Sequence, residues 1–231
     1  MIRFIAKRIF LETIPALFVI ATVTFFLIRL APGGPFSTEK SISAEVLSQL
    51  NSHYGLDKPL LVQYFLYLSR MLTLDFGPSF KYPGRTVTEL IGESFPVSLE
   101  LGLYALAIAL ILGLLSGMIA ASKPSSLRDY LTMIMSMTGI CIPSFVLGPL
   151  LVLIFSLKLG LLNVSGWNTA SDRILPALSL GMVYVAYISR LIRGSLLETM
   201  VQDYIRTARA KGLSEKIIIF RHALRGAILP V

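Results

Sequence analysis

Residues 101–122 read LGLYALAIALILGLLSGMIAAS, a stretch of 22 residues without a charged side chain. A helix rises about 1.5 Å per residue, so this stretch reaches about 33 Å and can cross the apolar core of a bilayer. The whole chain has a similar character, because 55% of its 231 residues are hydrophobic and only 15% are charged. A soluble domain carries about 25% charged residues. The sequence therefore predicts an integral membrane protein.

The same criterion predicts four membrane spans, at about residues 9–30, 95–122, 130–157 and 174–192, in an all-α, polytopic helical bundle. A fifth apolar segment starts near residue 226, and the sequence stops at Val231. In the third span, Pro143 and Pro149 predict a bent or broken helix, which either lines a pathway or is a packing kink. In the second span, Gly102, Ala105, Ala109, Gly113 and Gly117 form a stripe of small residues that favours close helix packing.

The distribution of Lys and Arg predicts the orientation. Residues 1–8, 122–129 and 190–225 hold three, two and eight of these residues, against five in 31–94 and two in 158–173. Cytoplasmic loops carry the excess of positive charge, so the N-terminus is predicted to be cytoplasmic and residues 31–94 external. The net charge of +8 is thereby explained without a nucleic-acid partner.

The external segment is predicted to contain two short amphipathic helices lying on the membrane. The first has an apolar face of Val46, Leu47, Leu50 and Tyr54 and can end at Gly55. The second follows Pro59 and presents Leu61, Phe65, Leu68 and Leu72.

No catalytic motif or metal-ligating cluster appears in the sequence. It lacks H-E-x-x-H, G-x-S-x-G and P-loop motifs, and one cysteine with two histidines is too few for a structural zinc site. Glu100, at the outer end of the second span, could contact a cationic substrate or pair with another residue of the protein. The sequence therefore favours a transport or scaffold role over an enzyme.

Residues 202–225, QDYIRTARAKGLSEKIIIFRHALR, are predicted to form a basic helix-turn-helix on the cytoplasmic side. Tyr204, Ala208 and Lys211 lie on one side of a helix that Gly212 can end, and Ser214 can cap a second helix. A basic hairpin of this kind either attracts anionic lipid or docks onto a partner protein.

Several sequence motifs resemble those of a known family. They are RLAPGGP at 29–35, YGLDKPL at 54–60 followed by Gln63-Tyr64, DFGPS at 75–79, FPVSL at 95–99 and IPSF at 142–145. In this order they resemble the inner-membrane permease subunits of binding-protein-dependent ABC importers of the dipeptide/oligopeptide family. Residues 31–36, 75–82 and 166–168 resemble the branch of oligopeptide-permease B-type subunits.

The resemblance implies a bacterial inner-membrane permease that is not itself an enzyme and binds no cofactor of its own. ATP and Mg would be bound by two cytoplasmic ATPase subunits, and the further partners would be a homologous second permease, an external peptide-binding protein and membrane lipid. The implied function is oligopeptide import, with dipeptides, nickel, glutathione or another solute as alternatives. Such permeases have about six spans, so the sequence is either a fragment or the product of a truncated gene.

In this family a cytoplasmic coupling loop, the EAA loop, contacts the ATPase. The resemblance places that loop at 193–225, with its contact residues at Tyr204, Arg206, Thr207, Ala208, Arg209, Ala210, Lys211, Gly212, Leu213, Arg221, His222 and Leu224. Arg206-Thr207 stands where the general pattern has Glu-Ala, which argues against an acidic contact at position 206.

Overall fold

The computed structural model describes residues 2–30, 48–49, 51–52, 54–82 and 84–231. The predicted helix positions Val46, Leu47 and Leu50 lie outside the described residues. Within these ranges the chain forms helices and no β-strand, apart from an isolated bridge between Pro78 and Thr86. The predicted all-α class is confirmed.

The chain divides into two compact units, Met1–Ser94 and Phe95–Val231. In the first unit, helix α1 consists of Ile2–Arg8, a π-helical turn Ile9–Thr13, and Ile14–Leu30. Helix α2, Leu60–Leu72, begins directly after Pro59, as predicted. The Thr22 hydroxyl of α1 lies 2.8 Å from the Tyr64 hydroxyl of α2, which ties the two helices together.

Helix α2 is amphipathic, and its predicted apolar face is largely free of contacts within this chain. Leu61, Phe65 and Leu72 are exposed, whereas Tyr64 and Tyr67 pack their rings 5.4 Å from the Phe25 ring of α1. The aromatic side chains therefore hold α2 on α1, and the aliphatic residues are left on the outside.

Two local features shape the first unit, and the first of them, the turn at Gly55, was predicted from the sequence. Gly55 has φ +67°, and the Leu56 N–H donates to the Asn51 carbonyl at 2.8 Å, which ends the helical residues before it. Thr86 and Glu89 form a capping box, with hydrogen bonds of 3.0 and 3.2 Å, that starts helix α3, Val87–Ser122. The helix therefore begins eight residues before the predicted span at 95.

The second unit begins with the rest of α3, which four further helices follow up to residue 210. Helix α4 is Leu127–Cys141, α5 is Ser144–Leu151 with a π-helical continuation Val152–Lys158, α6 is Ile174–Met200, and α7 is Asp203–Ala210. A short 3₁₀ turn, Ala170–Arg173, precedes α6. Helix α6 continues well beyond the predicted end of the fourth span at 192.

The predicted break in the third span is confirmed. Helices α4 and α5 meet at an angle of 110°. Ile142, which precedes Pro143, is extended with φ −102° and ψ 117°, because the proline ring disfavours a helical residue before it. Pro149, in contrast, lies inside α5 and does not interrupt it.

Glycine allows three helices of the second unit to approach closely. A Cβ added at Gly117 of α3 would lie 2.7 Å from the Ser189 carbonyl oxygen of α6, and one at Gly139 of α4 would lie 2.1 Å from the Met182 carbonyl oxygen. Of the predicted small-residue stripe, Ala105, Ala109, Gly113 and Gly117 are buried. Gly102 is exposed and has open space around it.

Among the described residues, three helices are long and apolar enough to cross a membrane, at Arg3–Leu30, Val87–Ser122 and Ala170–Met200. The bent pair α4–α5 adds a fourth if it is one span. The predicted polytopic architecture is therefore confirmed over this part of the chain.

Candidate functional site

The basic segment 202–225 forms the predicted helix-turn-helix. Helix α7 is followed by a turn and by α8, which consists of Glu215–Ile217, a π-helical turn Ile218–Ala223 and a last turn Leu224–Ala227. We call α7, the turn and α8 the hairpin. Its second helix starts at Glu215, the predicted position.

Gly212 ends α7 in the manner expected for a glycine. Its φ is +79°, its N–H donates to the Arg209 carbonyl at 2.9 Å, and the next N–H, that of Leu213, donates to the Ala208 carbonyl at 3.4 Å. These two bonds form a Schellman motif. No atom lies within 4 Å of a Cβ added at this position. Glycine is therefore required for its positive φ and not for lack of space.

An ion pair across the turn joins the two helices of the hairpin. Ser214 occupies the N-cap position, but its side chain makes no capping hydrogen bond. Instead the Arg209 guanidinium donates to both carboxylate oxygens of Glu215, at 2.7 and 3.3 Å. The hydrogen bond from Arg209 lowers the pKa of Glu215 and raises that of Arg209. The pair bridges the turn, but both side chains are exposed, so its contribution to stability is modest.

The inner face of the hairpin is packed onto the long helices of the second unit. Ile205 and Ala208 of α7 and Ile218 of α8 are buried in one cluster with Ile192 and Leu196 of α6. Met118 and Ala121 of α3 belong to the same cluster. Ala208 is only 6% exposed, so this predicted contact residue faces the protein's own core. The hairpin is therefore packed against both α6 and α3.

The outer face of the hairpin is basic and accessible in this chain. The exposed members of the predicted site are Tyr204, Arg206, Thr207, Arg209, Ala210, Lys211, Gly212 and Arg221, whereas Leu213, His222 and Leu224 are partly buried. Arg206 contacts Asp203 at 3.4 Å, but both side chains are largely exposed, so the pair is weak. This face can offer positive charge to an acidic partner surface.

A buried ion pair next to the hairpin was not predicted from the sequence. The Arg193 guanidinium of α6 donates two hydrogen bonds to the Asp129 carboxylate of α4, at 2.7 and 2.6 Å, and the Asp129 side chain is 3% exposed. The Ser125 N–H also donates to Asp129, at 3.0 Å. The one local signal is the Ser126-x-x-Asp129 spacing, typical of a helix start. The pair fastens α4 to α6.

At the opposite end of α6, Glu100 is paired within the protein. It forms an ion pair with Arg173, and the Trp167 indole N–H donates to it at 3.1 Å. The Arg173 guanidinium also lies over the Trp167 ring, 4.9 Å from its centroid. Of the two sequence interpretations, pairing with the protein is therefore confirmed.

A cavity of about 410 Å³ lies beside the break between α4 and α5. Ser144 of α5, Ser179 of α6 and Asn163 of the connecting segment contribute polar groups to its lining. Asp172, which also borders it, is held by hydrogen bonds from Asn163 at 2.7 Å and from two backbone N–H groups. The broken helix thus opens onto a mainly apolar cavity with a few polar groups in its lining.

Comparison with known proteins identifies the family. Residues 109–231 match the family described as "Binding-protein-dependent transport system inner membrane component", and residues 1–102 match its N-terminal component. The chain belongs to this family. It is therefore a multi-pass inner-membrane component of a binding-protein-dependent transport system, and the predicted resemblance to dipeptide/oligopeptide importer permeases is confirmed.

Individual members of the family are similar over the whole chain. The chain is 50% identical to the oligopeptide transport system permease protein OppB of Haemophilus influenzae and 48% identical to OppB of Escherichia coli K12, covering 76% of each. It is 43% identical to the dipeptide transport system permease protein DppB of Bacillus subtilis, covering 75% of it. These relatives are named as transport proteins and not as enzymes.

Proposed function

We propose that this family member is the transmembrane permease subunit of an ATP-driven oligopeptide importer. It forms half of the translocation pathway together with a homologous second permease, and an external peptide-binding protein delivers the substrate. The higher identity to relatives named for oligopeptides than to those named for dipeptides supports this substrate class. Dipeptides, nickel and glutathione are the alternative substrates.

The hairpin is the proposed coupling element. The observation that carries the proposal is that the hairpin packs on two membrane-spanning helices, α3 and α6. Ile205 and Ala208 anchor α7 on α6, while Arg206 and Lys211 remain exposed. A rigid element with a basic outer face suits docking into an acidic groove of an ATPase subunit. ATP and Mg would be bound by that subunit, and this chain would respond as a passive gate.

The ion pair and the broken helix suggest how ATPase motion would reach the pathway. The hairpin moves with α6, and the Asp129–Arg193 pair fastens α6 to α4, whose other end is the break before Pro143. Rotation of this assembly would change access to the cavity at the break. ATP binding and release by the partner would then bias the permease between outward and inward access.

The proposed orientation has the N-terminus in the cytoplasm, with the hairpin on the same side. After replacement of Cys141, a cysteine at Ser52 or Ser69 should react with an impermeant thiol reagent added to intact cells. A cysteine at Ser214, which is exposed in this chain, should react only after the cells are opened. The reverse pattern would invert the orientation.

Charge reversal on the hairpin tests the coupling proposal. With the coexpressed ATPase subunits, Arg206→Glu and Lys211→Glu should reduce co-purification and peptide uptake, and more strongly at low salt than at high salt. Lys158→Glu, at the far end of the second unit, is the matched control and should retain both. Wild-type co-purification and uptake in both hairpin variants would show that the hairpin is not the coupling element.

Competition experiments test the substrate class independently. Uptake of a labelled oligopeptide should be inhibited by unlabelled oligopeptides and not by nickel or glutathione. Inhibition by dipeptides alone would assign the chain to dipeptide transport and leave the coupling proposal unaffected.

A further inference from the structure

The first unit contains a cavity of about 370 Å³ that the permease function does not account for. It lies among the end of α1, the turn at 54–58, α2 and the segment 75–80. Three cationic residues line it, Arg29, Lys58 and Arg70, with Asp75 as the acidic residue of the described lining. The cavity therefore carries an excess of positive charge.

No carboxylate of the described chain neutralises these cations. Asp75 is engaged by the Gly77 N–H, which donates to it at 3.0 Å. The ion pairs found among the described residues include none of the three cations. The positive charge remains available to a ligand.

Arg29 and Gln63 each have a buried polar atom without a hydrogen-bond partner in the described protein. The Arg29 guanidinium stacks on the Phe25 ring, 5.2 Å from the centroid, and its Nε is the buried atom without a partner. The Gln63 Oε1 atom is also buried and unpartnered, although its Nε2 donates to the Leu56 and Lys58 carbonyls. Buried polar atoms without partners are costly, so both are expected to bind something. A ligand here should present an acceptor to Arg29 and a donor to Gln63.

The position of the cavity specifies the ligand further. Ile28 and Leu66, which line it, are 60% and 41% exposed, and Ile28 belongs to a helix that can span the membrane. The lining therefore combines exposed apolar side chains with cationic ones. This combination fits an amphiphile that has an anionic head and hydrocarbon tails.

We propose that this cavity binds the headgroup of an anionic phospholipid. The lipid phosphate would accept hydrogen bonds from Arg29 and Arg70, because guanidinium groups match phosphate oxygens in geometry and charge. A hydroxyl of a glycerol headgroup would donate to Gln63, and the acyl chains would lie along Ile28 and Leu66. Bound lipid would thus join the end of α1 to α2.

Lipid titration of the purified full chain in neutral detergent tests the proposal by native mass spectrometry. Phosphatidylglycerol should bind, and phosphatidylcholine with the same acyl chains should bind much more weakly. Arg29→Gln and Arg70→Gln should each weaken phosphatidylglycerol binding by about tenfold or more. Arg70 is exposed, so its variant should fold even if the Arg29 variant does not.

Arg85→Gln is the matched control, because it removes the same charge from the same unit at a residue outside the cavity lining. It should leave phosphatidylglycerol binding unchanged. If Arg85→Gln and Arg70→Gln weakened phosphatidylglycerol binding equally, surface charge alone would explain the effect. That result would overturn the proposal. Binding of inorganic phosphate without binding of phosphatidylglycerol would overturn the assignment to a lipid.

Discussion

Replacing Arg193 with glutamine should destabilise the second unit more than replacing Asp129 with asparagine. The two partners differ in burial, because the Asp129 side chain is 3% exposed and that of Arg193 is 31% exposed. Arg193→Gln leaves a buried carboxylate that retains the Ser125 N–H but loses its cation. Loss of the cation should lower the free energy of unfolding by about 3 to 5 kcal/mol.

Asp129→Asn has a smaller expected cost. Asparagine can still accept a hydrogen bond in the same place, and the partly exposed Arg193 guanidinium can be solvated. The free energy of unfolding should fall by about 1.5 to 3 kcal/mol, which is the range for a lost hydrogen bond to a charged group. The double variant Asp129→Leu with Arg193→Met should recover much of the stability, because an apolar pair leaves no buried charge.

The assay is reversible chemical unfolding of the purified chain in mixed micelles, followed by circular dichroism. Arg206→Gln is the control, since its ion pair with Asp203 is exposed, and it should change the free energy of unfolding by less than about 0.5 kcal/mol. Equal losses for Arg193→Gln and Asp129→Asn, or a larger loss for the latter, would refute the reasoning from burial.

Three further substitutions, two of them with matched controls, probe the backbone and the packing. Gly212→Val should lower the free energy of unfolding by about 1 to 2 kcal/mol and impair the substrate-stimulated ATPase activity of the assembled importer. Gly212→Asn should stay near wild type, because asparagine tolerates the same φ. Equal ATPase activities of the two variants would contradict this. Gly139→Ala should cost about 1 to 3 kcal/mol in the unfolding assay, because its Cβ would collide with the Met182 carbonyl. A Cβ added at Gly194 would have open space around it, so Gly194→Ala should instead stabilise α6 slightly. Ala208→Asp should expose the hairpin to limited proteolysis, because it buries an unpaired charge; unchanged protection would argue against the packing described here.

The sequence by itself determined the features that depend on local chemistry. Uninterrupted apolar stretches predicted the spans, because a helix crosses a bilayer only if it is long and apolar enough. Pro143 predicted the break between α4 and α5, because its ring restricts the residue before it. Gly212 predicted the end of α7, because it takes a positive φ at little cost.

Only the tertiary structure decided which side chains meet and which face the core. The partners Asp129 and Arg193 are 64 residues apart in sequence, and Glu100 and Arg173 are 73 apart. No local pattern specifies such pairs, because they form only when separate helices pack side by side. Ala208 was predicted as a contact for a partner, yet it packs into its own protein's core. An amphipathic helix shows that it has two faces, and the packing of the surrounding helices decides which one is buried.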